Sequence, residues 1–219
     1  MFAGALLAVQ AVSAGLWSEI FVLVSAVASA AWLLIALLVL RGAYRGARLP
    51  HPVSTVLAFV LLSAAWFAVI RLMERGFVYL LSVLAIVWLA DIAAYFAGRQ
   101  WGKRKLAPAI SPGKTWAGVG GAVAAVLVMA LLLANLATDL PLFSTLLQQR
   151  LAMVVALGVL AALVALSIVG DLFESLLKRQ VNAKDSGRLL PGHGGVLDRV
   201  DALIAVLPAA ALIDLWLHR

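Results

Sequence analysis

Apolar runs of about twenty residues, parted by short polar stretches, set the pattern of this chain. They lie at about 18–40, 53–70, 77–97, 116–136, 150–169 and 199–217. Each approaches the ~20 residues needed to cross a bilayer core as a helix. None alternates with period two, and in lipid only helices or closed barrels satisfy the backbone, so helices are expected. Residues 2–17 are apolar but barely long enough to span, and Gln10 interrupts them. They suit a short or tilted helix, or half of a hairpin. Gly118, Gly120 and Gly121, followed by Ala122, Ala124 and Ala125, open one run and point to close helix packing. No linker, low-complexity segment or internal repeat divides the chain. The expectation is an all-α, polytopic membrane bundle of about six to seven transmembrane helices, one membrane-embedded domain over residues 1–219.

Composition agrees with the pattern. Hydrophobic residues make up 65% and charged residues 12%, against roughly 25% charged in soluble domains. The mean hydropathy is +1.08. A soluble domain of this length could not hide so much apolar surface. The first residues lack a basic n-region and further hydrophobic runs follow, so no cleavable signal peptide is expected. Cysteine is absent, which removes disulfides, zinc–thiolate sites and thiol nucleophiles.

Charge sets an orientation. Arg41, Arg45 and Arg48 fall in one loop. Arg99, Lys103, Arg104, Lys105 and Lys114 fall in 98–115. Lys178, Arg179, Lys184 and Arg188 fall in 170–198, with Arg199 at its edge. Alternating spans put these three loops on one side. The other side receives Arg71, Arg75, Arg150 and Arg219. The positive-inside rule places the rich loops in the cytoplasm. The formal charge of +7 follows largely from that rule, with attraction to anionic phosphates as the sharper alternative.

Ionisable residues concentrate in Gly170–Asp201, GDLFESLLKRQVNAKDSGRLLPGHGGVLDRVD. Such a cluster between apolar runs is costly unless it binds something or faces water. In DLFESLLKRQ, Asp171, Glu174 and Lys178 share one helix face, which suits a helix lying at the membrane interface. The glycines and proline of PGHGG break any helix there, giving a glycine-rich cytoplasmic loop and an interfacial helix near 171–197. Asp198 and Asp201 are i, i+3 at the start of the last span. Carboxylates without Cys or multiple His suit a hard, oxygen-preferring cation such as Mg²⁺. Ion pairs with Arg179, Lys184 and Arg199 explain them equally well from spacing alone. Lys178, Arg179, Lys184 and Arg199 could neutralise a triphosphate or attract lipid headgroups. His193, between glycines, could approach a phosphate or cap a turn.

Asp91 and Tyr95 lie i, i+4 in a span, followed by Gly98-Arg99, and an acid inside a span is a functional candidate. Asp91 could also simply pair with Arg99 or Lys103. Ser111-Pro112-Gly113-Lys114-Thr115-Trp116 invites a P-loop reading, but Pro108 stands where that motif needs glycine, and no strand is expected before it. Ser111 and Lys114 could still touch phosphate by another geometry. Trp116 suits an interfacial anchor or a nucleobase contact equally.

These elements resemble the signature of the phosphatidate cytidylyltransferases, or CDP-diacylglycerol synthases. Ser175, Leu177-Lys178-Arg179, Lys184-Asp185, His193-Gly194-Gly195 and Asp198-Arg199-Val200-Asp201 fall in that family's order and spacing. The D-x3-Y-x2-GR pattern at 91–99 and SPxKTW at 111–116 extend the resemblance over about half the chain. Ala117 departs from it, since an acidic or amide residue usually follows that Trp. The resemblance implies transfer of CMP from CTP to phosphatidate, giving CDP-diacylglycerol and pyrophosphate. It implies Mg²⁺, with room for a second cation, held by Asp171 and Asp198, with Asp201 a ligand or the partner of one. Asp171, Asp198, Lys178 and Arg179 would be catalytic. Ser111, Lys114, Lys184, Asp185, His193 and Arg199 would bind substrate. The partners implied are CTP, phosphatidate and bilayer lipid, with no nucleic acid; a homodimer is compatible. The location expected is a bacterial inner (plasma) membrane. The alternatives are a CTP-dependent polyprenol or phytol kinase and a small membrane transporter or channel.

Overall fold

The structure, a computed structural model, describes residues 2–40, 50–136, 139–181, 183, 186–187 and 195–218, with side chains in the first helix from 19 to 38. The described chain is a helical bundle: α1 (Phe2–Leu40), α2 (His51–Glu74), α3 (Phe77–Trp101), α4 (Trp116–Leu136), α5 (Phe143–Arg150), α6 (Met153–Gln180) and α7 (Leu197–Leu217). Six of these helices are long and apolar enough to cross a membrane; α5 is the short exception. The chain is therefore an integral membrane protein, as its periodicity predicts.

Three details differ from the sequence reading. Residues 2–17 form no helix of their own but the first half of α1. DLFESLLKRQ is no separate interfacial helix either; it is the last part of α6, continuous with the apolar run before it. The expected break at Asp171 is missing because its ionisable residues share one face, so the rest of the turn stays apolar and can pack. Finally, the loop after α3 holds two short antiparallel strands, β1 (Lys105–Ala107) and β2 (Ser111–Thr115), so the bundle is not purely helical and a strand does precede SPGKT.

The hairpin is fixed at both ends. Ile110, at its turn, is buried in a cluster with Trp32 of α1, Leu172 of α6 and Ala205 of α7. Thr115 is buried at the start of α4. Its Oγ1 accepts from the Gly118 N–H at 3.1 Å, as an N-cap hydroxyl does. Gly98, Gly102 and Gly118 leave the space that its side chain fills: a Cβ on Gly98 would sit 2.9 Å from Thr115 Oγ1.

Helix α7 lies at the centre, packed against α1, α2, α3, α5 and α6. It crosses α6 closely at Gly170, where a Cβ would come within 2.8 Å of the Asp201 carbonyl oxygen and 3.2 Å of Ala202 Cα. Helices α3 and α4 use the same device: a Cβ on Gly121 would lie 2.3 Å from Ala97 Cβ, and one on Gly118 2.8 Å from the Ala94 carbonyl oxygen. Gly120 contributes nothing to that contact, since a Cβ there meets no atom within 4 Å.

At the bundle end away from the hairpin, Asp214 is fully buried. It accepts from Tyr79 Oη at 2.8 Å and from Arg75 Nε at 3.1 Å, and His218 Nδ1 lies 3.2 Å from Oδ1. A carboxylate at such a place is tolerable only with partners of this kind. The cluster ties the α2–α3 turn to the end of α7.

The crossing at Gly170 gives a direct test. Gly170→Ala must push α6 off α7 and should cost about 1–3 kcal/mol of stability. Gly158→Ala, in the same helix, meets open space and should be neutral or mildly stabilising, as alanine is the better helix former. Melting temperatures of the two variants in detergent compare them; equal values would refute the close-contact role.

Candidate active site

Where α3, the hairpin, α6 and α7 meet, they enclose a cavity of about 1130 Å³. Helix α3 contributes Asp91, Tyr95 and Arg99. The hairpin contributes Lys105 and Lys114, and α6 contributes Asp171, Glu174 and Lys178. Helix α7 contributes Asp198, Arg199 and Asp201. The sequence spreads these groups over more than a hundred residues, and the helix crossing gathers them. The i, i+3, i+7 spacing of Asp171, Glu174 and Lys178 does put all three on the cavity side.

The charges pair across elements. Lys114 Nζ forms an ion pair with Asp171 Oδ2, joining β2 to α6. Lys178 Nζ bridges Glu174 Oε2 at 2.5 Å and Asp198 Oδ1 at 2.8 Å, joining α6 to α7. Asp198 also accepts from the Gly195 N–H at 2.7 Å and the Ser186 N–H at 3.0 Å. One carboxylate thus closes the two described ends of the loop onto the start of α7. Asp91, Asp171 and Asp201 lie within electrostatic reach of one another and of Lys114. Asp91 does not pair with Arg99, whose Nη1 donates instead to Tyr95 Oη at 3.3 Å.

Arg179 points elsewhere. Its Nε donates to the Ile110 carbonyl at 3.4 Å, which fastens the hairpin to α6, and it does not line the cavity. It is one position beyond Lys178, and about 100° of helix turn carries it to another face. Ser111 stands at the turn end of β2, paired with Ala107, and is not among the cavity lining. Trp116 stacks under the Arg104 guanidinium, 5.7 Å from the ring centroid. Lys184, Asp185 and His193 lie outside the described residues.

Glu174 completes the site in a way that its spacing signals, one turn after Asp171 and one before Lys178. It is buried, and its carboxylate pairs with Lys178 Nζ, which it shares with Asp198. Among the described residues, no three His, Cys, Asp or Glu side chains converge closely enough to hold an ion together. The acidic donors present are nonetheless all hard oxygens, the kind that suits Mg²⁺. Five basic and five acidic side chains line the cavity, so the described walls offer no surplus of positive charge to a polyanion.

Residues 1–216 match the cytidylyltransferase family. The chain belongs to that family. It is 47% identical over 135 residues to a phosphatidate cytidylyltransferase of Haemophilus influenzae, covering 61% of this chain and 44% of that protein. It is 50% identical over 146 residues to one of Brucella suis, covering 64% and 47%. A Bacillus subtilis phosphatidate cytidylyltransferase is 40% identical over 144 residues, covering 65% and 50%. The chain spans about half the length of the curated relatives it matches.

Asp198 is the point where loop and helices meet, and its substitution has two readouts. Asp198→Asn leaves Lys178 with one carboxylate and weakens the acceptor for two backbone N–H groups. It should lower stability by about 2–3 kcal/mol. Amide hydrogen exchange at Ser186 and Gly195 should accelerate. Unchanged protection at both amides would show that Asp198 does not hold the loop.

Proposed function

We propose that this chain transfers the CMP moiety of CTP to phosphatidate, forming CDP-diacylglycerol and pyrophosphate. The observation that carries this reading is the cavity itself. Paired acids and bases stand at one end of an apolar bundle, where a phosphate on a membrane lipid can meet one delivered from water. In this reaction a phosphate oxygen of phosphatidate attacks the α-phosphorus of CTP. The bond to the bridging oxygen of the β-phosphoryl breaks, and pyrophosphate departs with that electron pair. The lipid phosphate is anionic at neutral pH, so little deprotonation is needed. What the site supplies is positioning and compensation of charge. Lys114 and Lys178, steered by Asp171 and by Glu174 with Asp198, are held where phosphate oxygens would arrive. Arg199 adds a planar donor fork suited to them. Lys184, Asp185 and His193 belong to the same reading as substrate contacts from the loop. Arg179 acts in it by holding the hairpin, and Ser111 by its place in the same strand as Lys114.

Asp171 and Asp198, with Asp201 as ligand or partner, are the residues that would hold Mg²⁺. A bound divalent cation would supply positive charge and Lewis acidity at the phosphates. The balanced cavity walls favour such a requirement, because a nucleotide triphosphate brings several negative charges. The reading needs one copy of the chain; a homodimer is compatible with it. Its setting would be a bacterial inner membrane with the site facing the cytoplasm, on the evidence of the Lys/Arg asymmetry.

Product analysis tests the reaction. With α- and γ-labelled CTP, the expected products are a CMP-bearing lipid and labelled pyrophosphate, formed only with a divalent cation. Release of CDP with a phosphorylated alcohol would favour the lipid-kinase alternative, and no turnover would favour a transporter. Turnover that persists in excess chelator would sink the cation requirement. The orientation has its own test. Single cysteines at Lys105 and Ser186 should both react with an impermeant reagent from the cytoplasmic side; labelling from opposite sides would overturn the shared compartment.

A further inference from the structure

One wall of the cavity is an open helix face. Trp88, Asp91, Tyr95 and Arg99 of α3 recur at helical spacing, all four line the cavity, and all four are exposed. At 1.5 Å per residue this face runs about 16 Å from Trp88, deep in the span, to Arg99 near its polar end. Trp88 stands near the middle of α3 among the apolar residues of the span. The cavity therefore extends along α3 from its polar end toward the middle of the span.

The cations around the cavity are not equivalent. Lys114 is paired with Asp171, and Lys178 with Glu174 and Asp198. Arg99 forms no ion pair with a described residue; its hydrogen bond goes to the neutral hydroxyl of Tyr95. That bond, to a residue one turn earlier, holds the guanidinium beside the cavity wall. A guanidinium on this wall without a described counter-charge is poised for an anion.

We propose that Arg99, oriented by Tyr95, determines specificity for the lipid substrate by gripping its phosphate monoester. The acyl chains would lie along the face that continues down to Trp88. The guanidinium fork can take two phosphate oxygens at once, and a monoester presents more free oxygens than the diester of an ordinary phospholipid. Lys114 and Lys178, on the facing walls, are left to the nucleotide. This assignment rests on the CMP-transfer reading above, and the nucleotide's phosphates share the same chemistry, so the test separates the two sources.

The full chain in mixed micelles is assayed with phosphatidate mole fraction and CTP concentration varied independently. Arg99→Gln should raise the KM for phosphatidate about tenfold, the usual scale for a lost charged hydrogen bond, and leave the KM for CTP within about twofold. Tyr95→Phe should shift the phosphatidate KM in the same direction by less. Lys103→Gln removes a nearby exposed charge outside the cavity and should move neither constant. A rise in the KM for CTP would assign Arg99 to the nucleotide. Two unchanged constants, or an equal effect of Lys103→Gln, would also overturn the proposal. Binding without CTP gives an independent reading. Intrinsic tryptophan fluorescence, titrated with dioleoyl phosphatidate and with dioleoyl phosphatidylglycerol, should show a preference for the monoester that Arg99→Gln abolishes. If that preference is seen without turnover, the reaction reading fails and the assignment of Arg99 stands. If the wild type shows no preference, the assignment falls.

Discussion

The contact between α6 and α7 at Gly170 is the constraint on which the site depends. With no side chain at that position, the backbone of α7 at Asp201 and Ala202 lies against α6. Asp171 follows directly on one helix, and Asp201 is the crossing residue of the other. Lys178, two turns further along α6, then reaches Asp198 one turn earlier on α7. A larger residue at Gly170 would separate both pairs together. Membrane helices gain little from hydrophobic association, because lipid is as apolar as their own side chains, so close backbone packing must supply the attraction. The same packing logic brings α3 against α4 at Gly118 and Gly121, which holds the fourth wall of the cavity in place.

The two ends of the bundle treat buried charge differently. At the end away from the hairpin, Asp214 is fully enclosed, with Tyr79, Arg75 and His218 around it. That cluster is closed and leaves the carboxylate no vacant side. At the site end the charges are equally well matched in number, yet they surround open volume. Glu174, also buried, shares Lys178 with Asp198 at the edge of that volume. The charges around Asp214 face one another, whereas those at the other end also face the cavity.

Much of this was legible in the sequence, for identifiable reasons. Helical spans are long and their signal is strong, so six of them could be placed, although α2 and α6 run further than the apolar runs alone indicate. The clustering of Asp171, Glu174 and Lys178 follows from helical spacing and needed no fold. The meeting of Lys114 with Asp171 could not be read that way, since it depends on a hairpin whose strands are three and five residues long. Strands so short carry no periodicity, and Pro108, Pro112 and Gly113 read as breakers. The separation of Lys178 from Arg179 was present in the helical wheel, but a shared motif groups the two residues while geometry sends one to the cavity and the other to the Ile110 carbonyl. The role of Thr115 was invisible because its socket is made of glycines from two other stretches of chain, and an absent side chain leaves no mark until the fold brings it to a neighbour.

A cavity whose described walls carry equal numbers of acids and bases poses a physical question about binding a polyanion. Lys114 and Lys178 already hold carboxylates, so binding a phosphate there exchanges one partner for another. That exchange is favourable only if the displaced carboxylate finds a new counter-charge. Asp171 released from Lys114, or Asp198 from Lys178, would become an unpaired anion next to Asp91, Asp201 and Glu174, and repulsion among them would oppose the exchange at low dielectric. If a hard cation were bound with the nucleotide, the freed carboxylates would be the groups to hold it and the freed lysines would meet the phosphates, which would offset that penalty. The ion pairs of Lys114 with Asp171 and of Lys178 with Asp198 would then be exchanged together rather than singly. Cation and nucleotide should accordingly bind with positive coupling, each raising the affinity for the other by the same factor.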